Sequence, residues 1–392
     1  MGVALRYRDT VLALAAAGNF SQLGTRLVIS PLVPAIIAAF GVSKGLVGLS
    51  LTGLWAVYAL LQFPSGVLGD RFGERRVIVV GLTLTGVASL MLAAAPSFPA
   101  FALFCVVLGA ATGLYFSVMA SLLTKLFEDV GQALSVHTAG GAIAGLVAPV
   151  AAAAVAARFG WRAGIALGAV SVLPTALLVR LVVRSTPPAR PDQPMRERFE
   201  LGALRELVSR PPVAFTMVLS FVTVYVWQSL ASFFPTFMVE HWRYTTQEAS
   251  VALSAVFLLS AVVQPFVGRL SDRIGRDRVL VVAFAAATLG MALLLGPQSL
   301  PAAGAAVVLL GLGISWPGVR QARFMDHFGD AERGAGFGLV RTVYMFLGAF
   351  GSVITGAVAD LAGWTAAYGV VAALLVVGLA ALLVNDRLDL GL

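Results

Sequence analysis

Between Gly45 and Gly69 this chain places no Asp, Glu, Lys or Arg, and from Val77 to Thr124 it again places none. A soluble surface cannot be assembled from stretches like these. Roughly 20 apolar residues in a helix cross a hydrocarbon core of about 30 Å, and a helix satisfies its own backbone polar groups there. The sequence therefore predicts an all-α membrane protein. Composition agrees: 59% of the 392 residues are hydrophobic and only 12% are charged. The net charge of +8 is scattered between apolar spans rather than gathered in a basic domain, so nucleic acid is not an expected partner. One cysteine, Cys105, excludes an internal disulfide framework. His137, His241 and His327 have no metal-ligand spacing, and neither G-x-S-x-G nor a P-loop is present. No metal, no cofactor and no enzyme are expected.

Breaks in hydropathy define twelve segments, near 11–39, 45–69, 77–95, 99–124, 133–157, 163–184, 212–239, 248–271, 279–296, 301–322, 335–359 and 365–384. They form two six-helix bundles, 1–184 and 212–392, joined by a linker, 185–211, that is rich in Pro and Arg. Phe199, Leu201, Leu204 and Val208 could line an interfacial helix there, but a plain linker is the preferred reading. The apolar stretch Val11–Gly18 resembles a secretory signal. It runs on through Pro31 and Pro34 to Phe40, so a retained helix is expected. Lys44, Arg158, Arg162 and Arg243 follow odd-numbered spans, and Arg26, Arg320 and Arg341 lie inside spans, leaving twenty of 27 basic residues on the other side. The positive-inside rule puts both termini and the linker in the cytoplasm of a multi-pass protein, as expected for a prokaryotic inner or plasma membrane.

The charge-free runs meet at "GDRFGERR", Gly69 to Arg76, with five charges in eight positions. Gly66-Val-Leu-Gly-Asp70-Arg71-Phe-Gly73-Glu-Arg75-Arg76 recurs as Gly268-Arg-Leu-Ser-Asp272-Arg273-Ile-Gly275-Arg276-Asp-Arg278, an offset of 202 residues. Gln62 and Gln264 keep that offset, and Gly160-Trp161 recurs as Gly363-Trp364. A period of half the chain implies two pseudo-symmetric halves. Gly66 and Gly268 would let another helix approach closely. Asp70 and Asp272 can accept hydrogen bonds from Arg or from a helix N-terminus. With Arg71, Gly73, Arg75, Arg273, Gly275 and Arg276 they make a candidate gating latch. For Arg71, Arg75 and Arg76 taken singly, a topogenic stop explains the charge as well.

An Arg deep in a bilayer costs roughly 2.5–3.5 kcal/mol and needs a reason. Arg26 falls about halfway along the first span. Asn19, Gln22, Arg26 and Ser30 share one helical face. No Asp or Glu lies deep in any span to pair with Arg26, so an anion is the expected partner, with a structural, carbonyl- or water-paired guanidinium as the alternative. The second half offers Tyr225 and Gln228, beside Trp227, on one stripe. It also offers Arg341 and Tyr344, with Arg341 either touching substrate or gating. His137 is a candidate proton relay, against the plainer reading of a satisfied histidine at a loop end. Arg320 and Arg323 are expected to end span 10. Tyr58, Gln62, Tyr115, Gln264 and Trp316 could line a cavity or simply pack.

The doubled G-x-L-x-D-R-x-G-R-R loop, the twelve spans and the basic central linker resemble the major facilitator superfamily over essentially the whole chain. Glu74 and Asp277 depart from the loop pattern, and Cys105 stands where many proton-driven members carry an Arg. The stretches "TRLVISPLVPAIIAAFGVS" and "YALLQFPSGVLGDRFGERRV" are similar to the organic-anion branch of organophosphate/phosphate antiporters and anion:cation symporters. That resemblance implies a major facilitator fold and alternating access. It also implies that Arg26 binds the acidic group of a small-molecule anion, with Tyr58 and Gln62 nearby. Gln228 stands at the span 7 place equivalent to Arg26, which disfavours a two-arginine phosphate clamp and favours a monocarboxylate or smaller anion. A monomer in the lipid bilayer is expected, with a proton or sodium ion as possible coupling partner. Multidrug efflux, inorganic anion (nitrate or nitrite) transport and a non-transporting sensor stay open as alternatives.

Overall fold

A computed structural model describes residues 2–188, 201–329, 335–388 and 390–392, with side chains from 7, 205 and 336 onward in the first three stretches. Phe199 and the side chains of Leu201 and Leu204, considered above for an interfacial helix, lie outside the described residues.

The first span is broken. Helix α1 (Gly2–Leu27) stops, a single 3-10 turn covers Ser30–Leu32, and α2 (Val33–Phe40) finishes the crossing. Pro31 and Pro34 cannot donate backbone hydrogen bonds, so the helix cannot run straight through them. Gly41, in the left-handed region at φ 63°, ends α2. There follow α3 (Lys44–Phe72), α4 (Glu74–Ala93), α5 (Phe98–Gly113), α6 (Phe116–Leu126), α7 (Val130–Phe159) and α8 (Trp161–Val182). The second half comprises α9 (Leu201–Val208), α10 (Pro211–Glu240), α11 (Thr246–Ile274), α12 (Arg276–Leu295), α13 (Leu300–Gly313), α14 (Pro317–Asp326) and α15 (Ala335–Leu388).

Eleven helical stretches among the described residues are long and apolar enough to cross a membrane. The last, Gly336–Leu388, contains non-helical Gly363 at φ 81° and is two crossings, which makes twelve. No strand occurs among the described residues.

The internal repeat is written into the backbone. Gly73 (φ 83°, ψ 136°) and Gly275 (φ 100°, ψ 151°) take the same glycine-favouring turn between paired helices. Gly160 (φ 82°, ψ 163°) and Gly363 (φ 81°, ψ 174°) do so at the other repeated turn.

Two compact units emerge. The first is Met1–Val42 with Gly53–Phe199, and the second is Ser43–Thr52 with Glu200–Leu392. In the first unit α1 packs on α7 and α8, and α4 packs on α5 and α8. Small residues permit the contact: a methyl at Gly140 would meet the Ala16 carbonyl oxygen at 1.9 Å. Val11, Leu14, Ile78, Leu82, Val118 and Leu122 anchor its core. In the second unit α10 packs on α15, and α12 on α13 and α15. The plain linker is corrected here: Leu201–Val208 is a helix, and Leu207 is buried against Val213, Phe324 and Val340. Eight residues are too few to show a convincing periodicity, yet one buried leucine is enough to dock the segment.

Candidate anion-binding site

The polar stripe of α1 is buried: Asn19, Gln22, Arg26 and Ser30 each expose less than a tenth of their surface. Asn19 Nδ2 donates to the His137 carbonyl at 2.9 Å, and Gln22 Oε1 accepts from Thr85 Oγ1 at 3.0 Å. Arg26 sits in the last turn of α1, just ahead of the break. Its Nε donates to the Gln22 carbonyl at 3.2 Å. Its guanidinium carbon lies 4.4 Å from the ring centre of Trp55 and 4.0 Å from that of Tyr58. Nη1 is buried with no hydrogen-bond partner among the described residues, and no ion pair reaches the side chain there.

Desolvated cation–π contacts contribute about 2 kcal/mol each and offset much of the cost of a buried guanidinium. They spread the charge without neutralising it. The free Nη1 edge can still donate to a planar anion.

Gln62, one turn beyond Tyr58 on α3, is buried as well. Its Oε1 accepts from Ser117 Oγ at 3.1 Å, while its Nε2 has no partner among the described residues. Tyr115 does not join this group: it is fully buried, and its hydroxyl donates to the Ala15 carbonyl at 2.9 Å. His137 is not at a loop end. It lies two turns inside α7, fully buried, with Nδ1 2.9 Å from that same carbonyl and its ring against Phe116.

In the second unit Tyr225 and Gln228 are buried on α10, and Gln228 Oε1 has no partner among the described residues. Behind them Ser229, Ser232, Ser352 and Thr355 bond to one another, with Thr355 Oγ1 donating to Ser229 Oγ at 2.8 Å and Ser232 and Ser352 hydroxyls 2.7 Å apart. Tyr344 is buried and stacked on Phe324, while Arg341 is half-buried one turn before it.

Arg323 falls, as expected, in the last turn of its span, on α14, which restarts at Pro317 after the break that follows Gly313; Arg320 lies earlier, in the first turn of α14. Arg320 donates to Thr223 Oγ1 and covers the Tyr344 ring at 4.8 Å. Arg323 is buried and grips Asp277 through Nε and Nη2, at 2.6 and 3.1 Å. Trp55 and Thr85 were missed, and Arg320 was read only as the end of its span. Only the three-residue spacing of Trp55 and Tyr58, and the four-residue spacing of Trp316 and Arg320, hinted at them.

The signature loops differ from expectation at two points. Among the described residues no heavy atom lies within 4 Å of a methyl placed at Gly66 or Gly268, so none of them makes the close approach expected there. Close approach occurs at Gly73, where the Thr186 carbonyl oxygen would meet a methyl at 2.3 Å. The two off-pattern acids are instead structural partners. Glu74 is buried and paired with Lys125, and Asp277 holds Arg323 and Asn385. In the second loop Arg276 donates to Asp272 and Ser271, and reaches Asp326 at 3.2 Å. In the first, Arg71 lies over the neighbouring Phe72 ring and Arg75 donates to the Arg180 carbonyl. Arg273, one position beyond Asp272, is exposed.

Twelve apolar crossings among the described residues and a repeated half define a polytopic helical membrane protein built from two related bundles. The chain belongs to the Major Facilitator Superfamily, whose profile matches residues 14–242 and 216–389. A probable hexose phosphate transport protein of Chlamydia trachomatis is 26% identical over 63% of this chain and 60% of its own length. The membrane sensor protein UhpC of Escherichia coli is 29% identical over 42% of this chain and 38% of its own. Both alignments therefore span less than two thirds of those relatives. The fold matches the crystal structure of a bacterial homologue of the human lysosomal transporter Spinster, with a TM-score of 0.80 at 17% identity over 97% of each chain.

Proposed function

We propose that this protein carries a small organic anion across a prokaryotic inner membrane by alternating access of bundles 1–184 and 212–392, with the anion's acidic group on Arg26. The observation that carries this reading is the buried, unpartnered Nη1 of Arg26 held between Trp55 and Tyr58. Gln22, Gln62 and Tyr58 complete the polar surround in the first bundle, and Tyr225, Gln228, Arg341 and Tyr344 are the contributions proposed for the second. The similarity to a hexose phosphate transport protein supports an anionic substrate. Gln228 in place of a second arginine argues for one acidic group, a carboxylate in the first instance. The twenty basic residues on one side support a cytoplasmic location for both termini.

The test is counterflow in proteoliposomes loaded with carboxylates, sugar phosphates, nitrate or cationic dyes. Accelerated exchange of an organic anion, lost in Arg26→Gln, is the expected result. Transport of cationic dyes instead, or unchanged anion exchange by the variant, would overturn the assignment. Binding of an anion without any flux would identify a sensor. Repeating the assay with imposed proton or sodium gradients separates coupled transport from exchange.

A further inference from the structure

Where α4 begins and α8 ends, the first unit holds a cavity of about 420 Å³ that the transport reading leaves without a role. Its polar wall is cationic: Arg75, Arg76 and Arg180 line it beside Ser185 and Thr186, and no carboxylate among the described residues contributes. The wall is built rather than incidental. Gly73, at φ 83°, turns the chain into α4, and Thr186 lies so close that its carbonyl oxygen would touch a methyl there. Thr186 Oγ1 accepts from the Arg75 backbone N–H at 3.1 Å, and Arg75 Nη2 donates to the Arg180 carbonyl. Arg75 Nε is buried with no partner among the described residues. Arg76 and Arg180 are exposed, and no carboxylate among the described residues pairs with either. The positive end of α4 adds to the field.

The other wall is apolar. Phe72, Val79 and Val80 line the cavity, and Phe72 and Val80 are exposed. From Val80 an exposed strip continues along α4 through Leu84 and Val87, at helical spacings of four and three. On the neighbouring α8, Leu181 and Leu177 continue in the same sense, away from the cavity and into the membrane-spanning part of the helix. A cationic cup opening onto an apolar track that enters the bilayer has the two-part chemistry of an amphiphile. A free phosphate would satisfy the arginines and leave the track unused.

We propose that this cavity binds the phosphodiester headgroup of an anionic phospholipid, with the acyl chains lying along Val80–Leu84–Val87 and Leu177–Leu181. Arg76 and Arg180 hold the phosphate, and Arg75 orders the cup that presents them. The site is independent of the substrate reading, because none of these residues touches Arg26 or its aromatic pair.

The test uses the full chain, delipidated in detergent and titrated with phosphatidylglycerol, phosphatidylcholine or inorganic phosphate by native mass spectrometry and thermal shift. Wild type should retain phosphatidylglycerol in preference to phosphatidylcholine and melt higher with it. R76Q/R180Q should bind phosphatidylglycerol about 30-fold more weakly, each basic residue near an anionic lipid contributing roughly a factor of five. R76K/R180K should keep most of the affinity, and R158Q, a surface charge elsewhere on the unit, should match wild type. Equal binding of phosphatidylcholine, unchanged affinity in R76Q/R180Q, or loss in R76K/R180K as large as in R76Q/R180Q would overturn the proposal. Displacement of the lipid by millimolar inorganic phosphate that also stabilises the protein alone would assign the cup to a soluble phosphate and equally overturn it.

Discussion

The guanidinium carbon of Arg26 rests 4.0 Å from the centre of the Tyr58 ring, one residue on the last turn of α1 and the other midway along α3. That contact positions a cation in an apolar bundle without cancelling it. The ring and the hydroxyl of Tyr58 can be separated by substitution. Tyr58→Phe keeps the ring and should change substrate affinity by less than about threefold. Tyr58→Leu removes one desolvated cation–π contact and should weaken anion binding roughly 5- to 30-fold, read from the concentration dependence of counterflow.

The Glu74–Lys125 pair is asymmetric, and its variants should be too. Glu74 is 1% exposed, whereas Lys125 is 46% exposed. Removing the lysine strands a buried carboxylate, while removing the carboxylate lets the lysine turn to water. Lys125→Ala is therefore expected to cost about 3 kcal/mol and Glu74→Gln about 1 kcal/mol. Urea or thermal unfolding in detergent would rank them; equal losses would mean the pair is not what keeps Glu74 in place.

The twelve crossings were legible because hydropathy alone decides them: a charge-free run of that length has no other place to go. The break in the first span was half legible, since Pro31 and Pro34 announce a fault but not where the helix stops. Arg26 stood out by its depth. Arg320 did not, because Arg323 and the span end lay nearby and nothing in the sequence shows that α14 restarts at Trp316–Pro317. Trp55 looked like one apolar residue among many, and only the folded chain brings its ring centre to 4.4 Å from the Arg26 guanidinium carbon. Glu74 and Asp277 read as departures from a loop pattern; their pairing with Lys125 and Arg323 depends on contacts 46 to 51 residues away along the chain.

Four glycines of the repeated loops separate turn geometry from gating. Gly73→Ala forces a methyl into a positive-φ turn and onto the Thr186 carbonyl, so a loss of about 2–3 kcal/mol is expected. Gly275→Ala meets open space at φ 100° and should lose only about 1 kcal/mol from strain. Gly66→Ala and Gly268→Ala sit in helices with room for a methyl and should be neutral or stabilising by up to about 1 kcal/mol. If the loops gate transport, the same two variants, like Asp70→Asn, will slow turnover more than they weaken binding. Unchanged turnover in all three would remove the loops from the gating proposal and leave them as topology signals.

Asp360 closes the start of α3 from within the second unit. Its two carboxylate oxygens accept from the backbone N–H groups of Lys44 and Gly45, at 3.1 and 2.7 Å. Lys44 Nζ stands 3.3 Å from Glu240 and 3.8 Å from Asp360, with the Trp364 ring 5.6 Å away. The first turn of a helix leaves N–H groups without intrahelical partners, and a carboxylate supplied from another helix serves as its cap. Asp360→Ala removes both hydrogen bonds and an opposite charge at the positive helix end, for a loss of about 1–2 kcal/mol. Asp360→Asn keeps one acceptor and should lose about half as much. Lys44→Ala leaves the cap intact and removes partly exposed charge contacts to Glu240, Asp360 and the Trp364 ring, so about 0.5–1 kcal/mol is expected. Hydrogen exchange at the amides of Lys44 and Gly45 distinguishes the cap from the ion pair: it should accelerate in Asp360→Ala and stay slow in Lys44→Ala. Equal acceleration in both would make the lysine, not the cap, the element that holds α3 in place.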